Sequence, residues 1–258
     1  MDVEYLTKLF GLVGRVAMVT GARHGIGAAV AIALSRLGAR VAVTSRDIDG
    51  LAPVVESIRA IGGEALPLAM ELTDRRSITD AVERTRRAFG RIDILVNNAA
   101  LAIRGDSLTF QEADWDLVFD TNVKGMFFTC QEVARVMIGQ GGGRIINMSS
   151  VFARAALPQR AAYGSSKAAV DQLTRMLAVE WAGYGILVNS IAPTTVITPS
   201  RAKLLQDPQW VAERTRRIPL GRLATPEDVV GAVVFLASPA AGFITRHTIM
   251  VDGGYICM

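Results

Sequence analysis

Short apolar runs rich in β-branched residues alternate along the chain with longer segments whose apolar residues recur at helical spacing. The short runs predict strands at 15–20, 40–45, 64–70, 92–97, 144–150, 186–192 and 248–252. The longer segments predict helices that include 26–37, 48–61, 75–89, 112–138, 161–182 and 226–237. Strands that are hydrophobic on both faces and alternate with helices are typical of a parallel sheet covered on both sides. We therefore predict an α/β fold with one doubly wound, seven-stranded parallel sheet.

The start of the last predicted helix carries a clear local signal. The segment "TPEDVV" places Thr225 as the N-cap, Pro226 at the first helical position and two acids in the first turn. A threonine cap satisfies a free backbone amide, and proline has no amide hydrogen to leave unpaired. The helix is therefore expected to begin at residue 226.

Length and composition favour one large domain. Of the 258 residues, half are hydrophobic and a fifth are charged, which is an ordinary globular composition. The length is ample for a sizeable core. No linker rich in proline, glycine or serine divides the chain, and no internal repeat is visible, so a single domain over residues 1–258 is expected.

The basic charge is scattered. The net charge of +4 and the pI near 9.4 raise the question of nucleic-acid binding. The densest basic cluster is interleaved with Asp74, Asp80 and Glu83 and has apolar residues at helical spacing, as in an amphipathic helix with a solvated face. No stacking-aromatic or zinc pattern accompanies it, so we expect no nucleic-acid partner. An RNA-binding side role would appear as salt-sensitive retention on nucleic acid.

The remaining composition excludes two further classes. Cys130 and Cys257 match no metal-ligand spacing, and His24 and His247 add no cluster, so no metal site is expected. The N-terminal segment carries acids where a secretory signal carries bases. No stretch approaches the ~18 consecutive apolar residues of a membrane span. We expect a cytoplasmic protein without a membrane partner.

A glycine-rich turn follows the first predicted strand. In "TGARHGIG", residues 20–27, Gly21, Gly25 and Gly27 allow a tight turn, close backbone approach and tight helix packing. The helix that starts there offers unpaired amides and a positive dipole to a pyrophosphate. The strand, loop and helix context predicts dinucleotide binding.

The segment "YGSSK" places Tyr163 and Lys167 four residues apart, on the same face of a helix. A free phenol has a pKa of about 10, and a neighbouring ammonium lowers it. This pair therefore suits Tyr163 to proton transfer, with Lys167 holding its pKa down.

These motifs together give the chain a family resemblance. It resembles the short-chain dehydrogenases/reductases from about residue 12 to residue 254. The family's motifs occur in order: the glycine turn at 20–27, "NNAA" at 97–100, Asn122 in "TNVKG", Ser150 thirteen residues before Tyr163, then Lys167, and "VDGG" at 251–254. The resemblance implies a Rossmann fold and oxidoreductase activity.

The chain departs from the family pattern at four places. Ala100 replaces the usual glycine, and Thr194 follows Pro193 where glycine is usual, which requires another loop geometry. Glu71 replaces an aspartate that normally contacts adenine, and Arg246 stands where glycine is common. None of these changes removes a chemical group from the catalytic set.

The resemblance implies a role for each catalytic residue. Tyr163 would be the acid for ketone reduction and the base for alcohol oxidation. Ser150 would donate a hydrogen bond to the same substrate oxygen, and its neighbour Ser149 is the alternative. Lys167 would bind the nicotinamide ribose, and Asn122 would position a water linked to Lys167. The predicted catalytic set is Asn122, Ser150, Tyr163 and Lys167.

The cofactor is expected at the carboxyl ends of the strands. The predicted contacts are Gly21, Arg23, His24, Gly25, Ile26, Gly27, Ser45, Arg46, Glu71, Leu72, Asn98, Ala99, Tyr163, Lys167, Pro193, Val196 and Thr198. The resemblance also places Asn97 against the cofactor side of the sheet.

The end of the second strand predicts NADP(H) over NAD(H), with NAD(H) still possible. An NAD site usually has an acid there, whereas this chain has Ser45 followed by Arg46. Arg23 can approach the same region, and Asp47 is interpreted as the N-cap of the next helix. A 2′-phosphate would then meet guanidiniums with no carboxylate to repel it.

The substrate and assembly follow from resemblance alone. The chain looks like sugar and polyol dehydrogenases of the family, with 3-oxoacyl-carrier-protein reductases as the alternative. A catalytically silent, regulatory dinucleotide-binding protein is the alternative from another class. Residues 194–222 are expected to cover the substrate as a flap. A homotetramer built from helices 112–138 and 161–182 and the apolar C-terminal segment is expected, with a dimer as the alternative.

Overall fold

The computed structural model describes residues 2–257, and Met1 and Met258 lie outside the described residues. The strands are β1 Val16–Thr20, β2 Arg40–Ser45, β3 Ala65–Ala69, β4 Ile94–Asn97, β5 Gly143–Met148, β6 Ile186–Pro193 and β7 Thr248–Val251. The α-helices are α1 Val3–Phe10, α2 Gly25–Arg36, α3 Ala52–Ala60, α4 Arg75–Phe89, α5 Glu112–Phe119, α6 Met126–Gly139, α7 Ala161–Trp181, α8 Ala202–Leu205, α9 Pro208–Arg216 and α10 Pro226–Ala237.

The seven strands form one parallel sheet in the order β3-β2-β1-β4-β5-β6-β7. The predicted doubly wound fold is therefore confirmed. From β1 the chain adds β2 and β3 on one side, and it then crosses back to add β4 to β7 on the other side of β1. The point where the order reverses therefore lies between β1 and β4. Ligands of open α/β sheets bind outside the carboxyl ends of the strands at such a point. This topology places the end of β1 and the end of β4 side by side.

Two apolar layers cover the sheet. On one face α2, α3 and α10 bury residues such as Leu34, Ile58 and Val233 against the strands. On the other face α4, α6 and α7 bury residues such as Ile78 and Met137. All five residues of β1 are buried, as expected for a strand with helices on both sides.

Two predicted helices differ from the observed ones. The helix predicted over 112–138 is interrupted by a π-helical segment at Asp120–Gly125, which contains Asn122. Such segments insert extra residues into one turn, a feature that apolar periodicity does not reveal. The helix predicted over 48–61 begins as a 3-10 turn at Asp49–Leu51 before α3. The short helix α1 was not predicted, because it buries no residue.

Other local expectations match the structure. Helix α10 begins at Pro226 with a capping box between Thr225 and Asp228. Arg246, at a position where the family commonly has glycine, has φ of 66°, in the left-handed region that glycine favours. Thr194 avoids that region, and its amide donates to the carbonyl of Val251 at 3.2 Å.

Within residues 2–257, no helix combines the length and hydropathy needed to cross a membrane. The same residues contain no cluster of three or more His, Cys, Asp or Glu side chains arranged to hold a metal ion.

Candidate active site

The glycine turn between β1 and α2 has a shape that side chains would block. Gly21 has φ of 65°, and a Cβ there would lie 2.8 Å from the Cα of Ala99. Gly25 has φ of 61°, and a Cβ there would lie 3.0 Å from the Cγ2 of Thr198. Both positions need a left-handed backbone and free space, which only glycine supplies together. The turn thus leaves an open cradle at the first turn of α2, suited to a pyrophosphate.

Asn98 fixes this turn to the end of β4. Its Nδ2 donates to the carbonyls of Thr20 at 3.0 Å and Gly21 at 2.9 Å. The Thr20 hydroxyl accepts from the amides of Asn98 at 3.0 Å and Ala99 at 3.1 Å. Because these bonds join neighbouring strand ends at the switch point, the cradle is held rigidly.

A cavity of about 460 Å³ extends from this turn along the carboxyl ends of the strands. Twelve of the predicted cofactor contacts line it: Gly21, Arg23, His24, Gly25, Ile26, Ser45, Arg46, Glu71, Leu72, Asn98, Ala99 and Thr198. The glycine cradle suits the pyrophosphate of a dinucleotide, and the polar end of β2 suits its adenosine ribose. The residues present therefore fit a dinucleotide.

Five predicted cofactor contacts do not line this cavity: Gly27, Tyr163, Lys167, Pro193 and Val196. A Cβ on Gly27 would lie 2.5 Å from the Gly21 carbonyl oxygen, so this glycine allows close packing beneath the turn. Val196 is buried at 1% exposure, and its carbonyl accepts from Arg201 Nη1 at 2.8 Å. These residues stay predictions.

Asn97 also lies apart from the cavity. Its Nδ2 donates to Asn147 Oδ1 at 2.8 Å and contacts Cys130 Sγ at 3.1 Å. Asn147 in turn donates to the Thr174 hydroxyl at 3.0 Å. The Asn97 side chain thus joins β4 to β5 and α6 in the interior, and its expected position against the cofactor stays a prediction.

Two carboxylates, one after β2 and one after β3, lie close to the arginines beside the end of β2. Arg23 Nη1 lies 3.1 Å from Asp47 Oδ2, and Arg46 Nε lies 3.9 Å from Glu71 Oε2. Ile48 precedes the 3-10 turn after β2 without a side-chain capping bond, and Asp47 Oδ1 accepts from the Gly50 amide at 3.2 Å, in keeping with the capping role expected for Asp47. Each candidate phosphate-binding arginine therefore already faces an acid, and the expectation of a site without carboxylates was wrong.

Tyr163, Lys167 and Ser150 meet beside the end of β5. Lys167 is buried, and its Nζ donates to the Met148 carbonyl at 2.6 Å and lies 5.7 Å from the centre of the Tyr163 ring. The Ser150 hydroxyl accepts from the Phe152 amide at 3.3 Å. Ser149 instead donates to the Lys167 carbonyl at 3.4 Å, a structural contact within the fold.

The electrostatics of Tyr163 differ from the simple tyrosine–lysine picture. Burial raises the pKa of Tyr163, while the Ser150 hydroxyl, Arg201 and Arg160 lower it in part. Burial lowers the pKa of Lys167 to about 8, against an opposing effect of Asp171. The charges that favour the phenolate in this structure are therefore arginines, because the lysine is itself buried and bound to a carbonyl.

Asn122 holds the loop after β4 against α7. Its Oδ1 accepts from the Leu101 amide at 2.7 Å, and its Nδ2 donates to the Leu101 carbonyl at 2.8 Å and the Ser166 hydroxyl at 3.0 Å. Ser166 donates to the Tyr163 carbonyl at 2.7 Å. Both Nδ2 hydrogens are therefore engaged by protein, whereas Oδ1 accepts one hydrogen bond and keeps a second lone pair.

The chain matches a family model described as Enoyl-(Acyl carrier protein) reductase over residues 21–256. It is 40% identical over 246 residues to the D-threitol dehydrogenase of Mycolicibacterium smegmatis, covering 95% of this chain and 94% of that protein. A crystal structure of a short-chain type dehydrogenase/reductase from Mycobacterium marinum superposes with a TM-score of 0.93 at 38% identity, covering 97% of this chain and 99% of that one. The chain belongs to the short-chain dehydrogenase/reductase family.

The chain is also similar to proteins named for reactions on several kinds of substrate. The 3-oxoacyl-(acyl-carrier-protein) reductase of Thermotoga maritima is 37% identical over 245 residues, covering 95% of this chain and 99% of that protein. The NAD-dependent glycerol dehydrogenase of Listeria innocua is 37% identical over 257 residues and covers 99% of both chains. A gluconate 5-dehydrogenase from Burkholderia cenocepacia, solved in complex with NADP and tartrate, has a TM-score of 0.93 at 34% identity, covering 98% of this chain and 99% of that one.

Sequence reasoning missed several residues of this short-chain dehydrogenase/reductase site. Leu117, Thr121, Ser200 and Arg201 line the cavity. Arg201 Nη1 also donates to the Val196 carbonyl at 2.8 Å, which anchors the start of the flap. Arg201 could have been suspected from the sequence, because basic residues outnumber acidic ones in residues 194–222.

Proposed function

We propose that the protein is an NADP(H)-preferring oxidoreductase that interconverts a secondary alcohol and a ketone on a sugar, polyol or related hydroxy compound. The observation that carries the proposal is the convergence of Tyr163, Ser150 and Lys167 beside a glycine-cradled cavity at the switch point of the sheet. The D-threitol dehydrogenase and the gluconate 5-dehydrogenase among the relatives support a substrate class that includes both polyols and sugar acids.

In this proposal the bound dinucleotide supplies or accepts the hydride. Tyr163 donates a proton to the ketone oxygen in reduction and takes it from the alcohol in oxidation. Burial raises the pKa of Tyr163 and so makes the phenol a weaker acid, an effect that the Ser150 hydroxyl, Arg201 and Arg160 oppose. Ser150 donates a hydrogen bond to the same substrate oxygen and stabilises the charge that develops on it.

Lys167 and Asn122 support Tyr163 and Ser150 in this proposal. Lys167 lies under the tyrosine and, in the proposal, binds the nicotinamide ribose with the hydrogens that the Met148 carbonyl leaves free. Asn122 fixes the loop at Leu101, which lines the cavity, to the helix that carries Tyr163. Ribose binding and loop positioning therefore depend on groups that are themselves buried.

The preference for NADP(H) rests on the arginines at the end of β2. Ser45, Arg23 and Arg46 line the cavity there, and a 2′-phosphate would compete with Asp47 and Glu71 for the guanidiniums. Arginine pairs with phosphate through two hydrogen bonds, whereas the Arg46–Glu71 distance of 3.9 Å is beyond hydrogen-bond range. The gluconate 5-dehydrogenase complex with NADP supports the choice.

We also propose a homotetramer in the cytoplasm. Exposed apolar side chains on α6 and α7 include Ile138, Met176 and Val179, and Phe243 before β7 is fully exposed. Apolar side chains exposed together on a protein surface often mark a contact with another subunit. Cys130 and Cys257 are both free thiols, which agrees with a reducing compartment.

A substrate panel tests the activity. The purified protein is assayed by cofactor absorbance with polyols, sugar acids and an acyl-thioester ketone, each with NADP(H) and NAD(H). Turnover of polyols or sugar acids supports the proposal, whereas a preference for the acyl thioester would favour the 3-oxoacyl-carrier-protein reductase reading. Dinucleotide binding without turnover of any alcohol or ketone would favour the alternative hypothesis of a regulatory dinucleotide-binding protein without catalytic activity.

A further inference from the structure

Four arginines from three segments of the chain lie around Tyr163 and one another. Arg104 follows β4, Arg160 precedes α7, and Arg201 and Arg214 belong to the flap. The Arg160 guanidinium lies 5.8 Å from the centre of the Phe152 ring, and that ring lies 6.3 Å from the ring of Tyr163. The cluster therefore stands next to the candidate proton-transfer group.

No carboxylate balances this charge within residues 2–257. The ion pairs of the described chain use other arginines, and none includes a member of the cluster. Burial, Arg104, Arg214 and Arg201 lower the pKa of Arg160 to about 10, against an opposing effect of Tyr163. Burial and the guanidiniums of Arg104 and Arg214 likewise lower the pKa of Arg201. Gathered cations without a counter-ion destabilise a protein unless an anion joins them.

The flap also holds buried hydrogen-bond donors without an acceptor. The Nε of Arg214 and the Nε1 of Trp210 are both buried and unpaired in the described structure. The Arg214 guanidinium lies 5.6 Å from the centre of the Trp210 ring, so the two groups are neighbours. Because both atoms can only donate, the group that would satisfy them is an acceptor.

The backbone before Arg160 is held in a costly conformation. Gln159 has φ of 62°, in the left-handed region, which non-glycine residues rarely adopt. Arg160 itself stands at the N-cap of α7, and its carbonyl accepts from the Gly164 amide at 2.7 Å. Strain of this kind persists where surrounding structure over-determines a position, often at a ligand site.

The cofactor does not account for the whole cluster. Arg201 lines the dinucleotide cavity and could contact its diphosphate, but Arg104, Arg160 and Arg214 do not line it. Arg160 also borders a surface depression with Phe152 and Gly164, on the exposed face of α7. Among the four arginines of the cluster, only Arg201 is thus placed to meet the dinucleotide.

We propose that Arg160 and Arg214, with Arg104 and Arg201, form an anionic subsite, so that the substrate is a hydroxy compound carrying a carboxylate or phosphate away from its reacting carbon. The inference rests on the proposed function, because it narrows the substrate of the same site. It separates the protein from enzymes that oxidise neutral polyols, since an uncharged substrate would leave the guanidiniums unpaired.

The test compares substrates matched in length but not in charge. A six-carbon aldonate, a hexitol and a hexitol phosphate are oxidised by the wild type and by the Arg160→Gln, Arg214→Gln and Arg216→Gln variants. Each lost charged hydrogen bond weakens binding by a factor of about 10 to 100. We expect kcat/KM for the anionic substrate to fall by that factor in the first two variants, mainly through KM, with little change for the hexitol. Arg216 is exposed on the same helix as Arg214, so its variant is expected to behave as wild type.

The outcomes separate this inference from the proposed function. Preference for the aldonate or for the phosphate supports the subsite and identifies its anion. Equal kcat/KM for hexitol and both anions in the wild type, or equal losses for all three in the variants, overturns it. If nothing is turned over, the proposed function fails, and calorimetric binding of the aldonate to the Tyr163→Phe protein with NADPH still tests the subsite. Binding that is unchanged by the Arg160 and Arg214 substitutions would then overturn it.

Discussion

Lys167 donates a hydrogen bond from Nζ to the Met148 carbonyl at 2.6 Å, in a position where the lysine is 3% exposed. Met148 ends β5, so this bond fixes the helix that carries Tyr163 to the carboxyl edge of the sheet. Burial lowers the pKa of Lys167 to about 8, with an opposing effect of Asp171. The lysine thus adds a pH-dependent cost to the fold at the place where the proposed chemistry occurs.

The first prediction concerns stability against pH. The folded pKa of Lys167, about 8, lies below its ordinary value of 10.5, so the unfolded chain binds more protons between these values. Stability therefore rises with pH across that window, and below it the full penalty of about 3 kcal/mol is present. We expect wild type to gain stability relative to Lys167→Met as the pH is raised through the window. Denaturant unfolding of both proteins measures this difference, with Lys203→Met, at an exposed position, as the control. A difference that is constant with pH would contradict the prediction.

Tyr163→Phe removes the phenol hydroxyl and keeps the ring that contacts Phe152. We expect turnover to fall about 100- to 10,000-fold, the usual contribution of general acid–base catalysis. Dinucleotide binding, followed by cofactor fluorescence, should be retained. Tyr184→Phe, at an exposed tyrosine, serves as the control. A Tyr163→Phe protein with a tenth of wild-type activity would exclude this residue as the acid and base.

Gly25→Ala and Gly62→Ala form a matched pair. Both glycines have left-handed backbones, with φ of 61° and 77°, but a Cβ on Gly25 would meet Thr198 whereas one on Gly62 would meet nothing within 4 Å. Similar backbone strain, of about 1 kcal/mol, is expected in both variants. Only Gly25→Ala should weaken dinucleotide binding, measured by titration with NADPH and NADH. Equal affinities in the two variants would argue against the glycine cradle.

Arg46→Ala tests the choice of cofactor. The side chain is largely exposed and lies near Glu71 without a hydrogen bond to it. One charged hydrogen bond to a 2′-phosphate shifts binding about 10- to 100-fold, so the variant should lose that much affinity for NADP(H) and little for NAD(H). Glu71→Gln, which removes the competing carboxylate, should strengthen NADP(H) binding. Equal or better kcat/KM with NAD(H) in the wild type would show the preference to be wrong.

The assembly prediction is tested by mass. Light scattering at micromolar concentration should give a tetramer for the wild type and a smaller species for Val179→Asp, because a charge on α7 would be costly to bury between subunits. Ile61→Asp, at another exposed apolar position, is the control and should leave the mass unchanged. A wild-type monomer would refute the oligomer.

The sequence by itself determined the strands, most helices and the residues that carry the proposed chemistry. Apolar runs such as Val16–Thr20 and the cap at Thr225 are local signals, because burial on both faces and capping depend on a few neighbouring positions. Tyr163, Lys167 and Ser150 were identified from the order of the motifs and from their spacing, which can be counted directly in the sequence. These features needed no knowledge of distant contacts.

Only the tertiary structure decided which charges meet. Arg104, Arg160 and the flap arginines Arg201 and Arg214 come from three separate parts of the chain, and the fold brings them together. The pairing of Arg46 with Glu71 likewise joins the ends of two strands that are neighbours only in the sheet. Burial of Tyr163 raises its pKa, although a lowered pKa was expected from the neighbouring lysine, because desolvation depends on everything packed around a group and not on its neighbours in the chain.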